Sequence, residues 1–91
     1  MHVLAIGTMT GKDIAPHLEA EGRRVAELRD EGLIEGVFLK TDRSGPVLLL
    51  GGVGAQEAPR RLAGLPFLEE DLVTFEYVEL ETLAERQQRG G

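Results

Sequence analysis

Residues 33–50 read LIEGVFLKTDRSGPVLLL, and the architecture turns on this stretch. Two apolar runs rich in branched and aromatic side chains, residues 33–40 and 46–50, flank the polar connection Thr41-Asp42-Arg43-Ser44-Gly45. Short runs of this kind, bounded by turn residues, predict two antiparallel strands joined as a hairpin. Working outward, residues 14–31 carry apolar positions at helical spacing, with Asp13 as N-cap, Pro16 in the first turn and Gly32 just past the end. Before that helix, residues 2–9 are apolar on both alternating faces, which predicts a strand buried on two sides. Downstream, Ala55, Ala58, Leu62 and Leu65 recur at helical spacing and predict a shorter helix over residues 55–63, delayed or bent by Pro59 and ended by Gly64-Leu65-Pro66. The final strand is expected at residues 72–80.

Strand, helix, strand, strand, helix, strand is the order of an α+β, ferredoxin-like βαββαβ fold. In that fold a four-stranded antiparallel sheet carries two helices on one face. One domain is expected over residues 1–83, with a polar C-terminal tail at residues 84–91. A sheet with one open face should alternate apolar and polar. Here Val3 and Ala5 oppose Leu4 and Ile6, Ile34 and Phe38 oppose Leu33, Val37 and Leu39, and Val47 and Leu49 oppose Leu48 and Leu50. Both faces are therefore apolar, apart from edge positions such as Glu35, Glu76 and Glu79. The economical cover is the same sheet of a second subunit, a homodimer with two sheets face to face.

The 91 residues include 10 Lys and Arg against 16 Asp and Glu, a formal charge of −6. That balance repels phosphate backbones and anionic headgroups, so neither nucleic acid nor a membrane surface is an expected partner. With no cysteine, disulfides, zinc-thiolate sites and cysteine nucleophiles are excluded. The longest apolar runs fall well short of a membrane span and the N-terminus lacks a signal-peptide pattern, which predicts a cytoplasmic location.

On a helical wheel, Ile14, Leu18, Val25 and Leu28 share an arc, and Glu21 falls inside it. A carboxylate there must reach water, meet a cation or hold its proton. His17 lies one turn earlier, at a spacing that allows contact. Together they are the parts of a proton-transfer site, with Glu21 or His17 as base. Arg24, three residues beyond Glu21, is the candidate anion or enolate stabiliser. The same residues also fit a solvated pair at the helix rim, with Gly22 letting the helix approach the sheet. Phe38, Phe75 and Tyr77 are candidate walls of a substrate pocket, and equally candidates for core or dimer interface. His2 has no acidic or cysteine companion nearby in sequence, so no metal site is expected. Gly51-Gly52-Val53-Gly54 lacks the endings of phosphate-binding loops and reads as a turn.

Three stretches, EGRRVAELRDEG (residues 21–32), LIEGVFLK with GPVLLL, and LAGLPFLEEDLVTFEYVELETL (residues 62–83), resemble the muconolactone isomerase-like and YciI-like proteins of the dimeric α+β barrel superfamily. The resemblance implies a homodimer, with larger rings of dimers open to it. It also implies a cofactor-free proton shift on a small hydrophobic or unsaturated lactone or acid held between sheet and helices. A noncatalytic small-molecule-binding or oligomerising protein of the same fold is the alternative.

Overall fold

The computed structural model describes residues 1–83, and the expected tail at residues 84–91 lies outside the described residues. Four strands form, β1 (His2–Met9), β2 (Ile34–Leu39), β3 (Pro46–Gly51) and β4 (Val73–Leu80). They make one antiparallel sheet in the order β2-β3-β1-β4, an α+β arrangement compatible with a ferredoxin-like fold. The hairpin is the one expected from residues 33–50. Its loop is fixed by Asp42, whose Oδ1 accepts the Ser44 N–H at 2.9 Å. The Ser44 hydroxyl and N–H together hold the Asp42 carboxyl below its ordinary range.

Against one face of this sheet pack α1 (Leu18–Asp30), α2 (Ala58–Leu62) and α3 (Pro66–Glu69). The main core joins Val3 and Ala5 of β1, Leu48 and Leu50 of β3, Ile34 of β2, Leu28 of α1, and Ala58 and Leu62 of α2. A smaller cluster, Phe67, Leu72 and Val73, fills the far end of the same face, against Met9, Ile14 and Phe75. Burying these aliphatic side chains supplies the main driving force, at about 25 cal/mol per Å² of apolar surface removed from water.

The expected long first helix is split. Residues Ala15–His17 form a 3₁₀ turn, opened by Asp13, whose Oδ1 accepts the Ala15 N–H at 3.1 Å. Because a 3₁₀ turn is wound more tightly than an α-helix, it breaks the phase between Ile14 and the helix beyond it. Leu18, the first residue of α1, is 53% exposed and does not join Val25 and Leu28 on the core. Gly22 is also exposed, with nothing within 4 Å of an added Cβ, so it does not bring helix and sheet together. Gly32 does have a positional reason. Its φ of 87° closes α1 as Leu33 N–H donates to Leu28 and Gly32 N–H to Arg29, a Schellman end that buries Leu33 at once.

The second helix is shorter than the spacing suggested, because Pro59 fits in its first turn and residues 55–57 remain a turn. Beyond it, Pro66 opens a new helical turn rather than only ending the old one, since a proline with its φ already set suits a first helical position. This short α3 ends like α1, with Leu72 N–H donating to Phe67 and Asp71 N–H to Leu68. Here the left-handed residue is Asp71, at φ 58°.

One β-bulge rearranges the expected faces. The register of β2 on β3 shifts between Ile34 and Gly36, so Glu35 is the extra residue. Ile34 then shares the helix side with Val37 and Leu39, not with Phe38.

Candidate functional site

Glu21 lies in the first turn of α1 and is half-buried. Its Oε1 accepts the backbone N–H of Phe67 at 2.9 Å, which satisfies an otherwise unpaired donor at the start of α3. Burial pushes its carboxyl above the usual glutamate range, and the Phe67 hydrogen bond offsets part of that rise. Glu21 thus holds a proton more readily than a surface glutamate does, as a carbon-acid base requires.

The other two members of the expected set face different partners. His17 Nε2 lies 3.9 Å from Glu70 Oε1, past the far end of α3. Arg24 Nη1 donates to Glu27 Oε1 at 3.0 Å and lies 3.9 Å from Glu31 Oε2, with its guanidinium alongside Gly64. These contacts tie His17 and Arg24 to surface carboxylates, in the manner of a solvated helix rim, while Glu21 alone turns inward.

Phe38, Phe75 and Tyr77 do not share a wall. Phe75 and Tyr77 lie on the helix side of β4, with ring centroids 6.2 Å apart and planes inclined at 42°. Both pack against the core, and burial raises the Tyr77 hydroxyl pKa. Phe38 lies on the opposite face, its ring folded over Gly36 and against the Leu49 side chain's position, at 58% exposure.

That opposite face is largely apolar, with the exposed Glu76 of β4 beside Ile6. Leu4 and Ile6 of β1, Val47 and Leu49 of β3, Phe38 of β2 and Val78 of β4 all belong to it by register. Val78 is 44% exposed. At one end His2 Nε2 meets Glu35 Oε1 at 3.0 Å, the Glu35 carboxylate lying over Gly51 where an added Cβ would collide with it. Sequence reasoning missed this pair because the two residues are 33 apart. The signal was Glu35-Gly36 inside a strand pattern, since glycine within a strand often marks a bulge.

Among the described residues, no group of three or more His, Asp or Glu is placed to hold a metal ion, and no helix is long and apolar enough to cross a membrane. Neither the protein-family models nor the curated proteins contain a match to the chain.

Proposed function

We propose that this chain is an oligomerising, small-molecule-binding protein that works as a homodimer, two ferredoxin-like sheets stacked by their open faces in the dimeric α+β barrel manner. The observation that supports this reading is the apolar face of Leu4, Ile6, Val47, Leu49, Phe38 and Val78, which no helix among the described residues covers. Exposed apolar patches of this kind on a small domain mark interaction surfaces. A second copy matches the patch because a two-fold axis sets the same largely apolar surface against itself, with Glu76 at the β4 edge. Methyl-labelled protein in the presence of a soluble gadolinium chelate tests it. Methyls of Leu4, Ile6, Val47 and Leu49 should be as shielded as those of Leu48 and Leu50. Relaxation as fast as at Leu18 and Val37 would overturn the reading.

A second reading follows from the half-buried Glu21. In it the protein is a cofactor-independent isomerase or cyclase-like enzyme, similar to muconolactone isomerase, moving a proton on a small unsaturated lactone or acid. Glu21 is the base, and His17 and Arg24 swing from their surface partners onto substrate. On a lactone that the protein isomerises, Glu21→Gln should lower kcat by at least about 100-fold, in line with the usual contribution of a general base. Undiminished turnover in that variant would remove Glu21 from the chemistry.

A further inference from the structure

Residues 66–71 span two fixed points. Leu65 on one side is fully buried in the main core, and Val73 on the other is paired with Met9 at the start of β4. Between them α3 has only four residues, too few to stay helical without tertiary support. Its buried anchor, Phe67, belongs to the smaller cluster at the end of the sheet, and the half-buried Leu68 packs against both that cluster and the main core.

Beyond this apolar packing, few polar groups tie the segment down. Lys12 and Asp71 pair at 3.2 Å, His17 and Glu70 approach to 3.9 Å, and Thr10 Oγ1 donates to the Asp71 carbonyl at 2.8 Å. Each of these lies at the surface, where such contacts contribute little. The half-buried tie is Glu21 to the Phe67 N–H. Asp71 also holds a left-handed conformation, which residues other than glycine adopt at some cost.

We propose that residues 66–71 are a strap that opens as a unit, hinged at Gly64-Leu65 and at Asp71-Leu72, with Glu21 as the latch whose proton holds it closed. Opening lifts Phe67 off Met9, Ile14 and Phe75 and uncovers an apolar floor. In the open strap Glu21 meets water and behaves as an ordinary glutamate, near 4.5. In the closed strap burial raises that value, so the closed form binds the proton more tightly. Its advantage is complete below 4.5 and is lost as pH rises through the raised value. Proton uptake need not break the contact, because the carbonyl oxygen of a protonated carboxyl still accepts the Phe67 N–H.

Other charged groups around Glu21 are engaged elsewhere. Glu19 lies near Arg23, Arg24 near Glu27 and Glu31, and His17 near Glu70. Asp71 pairs with Lys12, and Glu79, on the helix side of β4, accepts the Ala55 N–H. Glu69, on the strap itself, is exposed, and Tyr77 on β4 packs against Phe75 and the main core.

Amide hydrogen exchange from pH 4.5 to neutrality tests the strap. Protection at Leu68, Glu69 and Glu70, whose N–H groups bond to Leu65 and Pro66, should fall several-fold as pH rises, while protection at Val3 and Leu48 stays level. In Glu21→Gln the strap amides should keep constant protection, above wild type at neutrality. Strap amides that exchange only together with the sheet, or a wild-type pH dependence that persists in Glu21→Gln, would overturn the proposal. The wild-type series alone decides the first point even if the variant fails to fold.

Discussion

Phe38→Glu is expected to convert the proposed homodimer to monomers while leaving the fold intact. Phe38 is 58% exposed within the subunit, so the substitution removes little intramolecular packing, and surface changes of this kind usually stay within about 0.5 kcal/mol. In the dimer its consequence is much larger. The two-fold axis places two new carboxylates in one apolar interface, and each must be desolvated without a partner. A loss of about 3 kcal/mol across the pair weakens association about 100-fold. Light scattering after size exclusion, with circular dichroism as the check on folding, reads both halves of the expectation. A variant that stays dimeric would place the interface somewhere other than the open face.

Leu50→Ala is expected to cost about 2 to 5 kcal/mol of folding stability. Leu50 is fully buried on β3, paired across the sheet with Val3 on one side and Ile34 on the other, in the same cluster as Leu28 and Leu62. Truncation there leaves a cavity between sheet and helices that rigid strands on both sides prevent from collapsing. Domains of this size have only about 5 to 15 kcal/mol in total, so much of the margin goes. Urea unfolding should show a lower midpoint with an unchanged slope. A loss below about 1 kcal/mol would mean that this layer is not the centre of the core.

Residues 33–50 made the hairpin legible because its signals are local. Two β-rich runs and a polar loop specify a pairing without reference to the rest of the chain, and the helix ending at Gly32 and the strand beginning at His2 follow in the same way. The two-sided apolar character of β1 and β3 was legible too, since alternation is read directly from residue order. What escaped depends on phase or on distant contacts. The 3₁₀ turn at Ala15–His17 set Ile14 out of phase with α1, and the bulge at Glu35 moved Ile34 to the other face from Phe38. In both cases a local change of one residue's phase reassigns the side chains beyond it.

The candidate site divides along the same line. An inward-facing Glu21 was legible from the helical wheel. Its partner was not, because that partner is a backbone N–H 46 residues away, in a helical turn whose only sequence mark is Pro66. His17 and Arg24 were grouped with Glu21 by helical spacing, yet long side chains at such spacing can choose other neighbours, and here Glu70, Glu27 and Glu31 are closer at hand.

Sedimentation equilibrium of the wild-type protein over a range of micromolar concentrations tests the central claim most directly. A homodimer closed by the open sheet faces predicts a mass twice the 9.9 kDa of the chain, or a whole multiple of that dimer. A mass of 9.9 kDa throughout would mean that no second copy covers Leu4, Ile6, Val47, Leu49, Phe38 and Val78, and would contradict the homodimer.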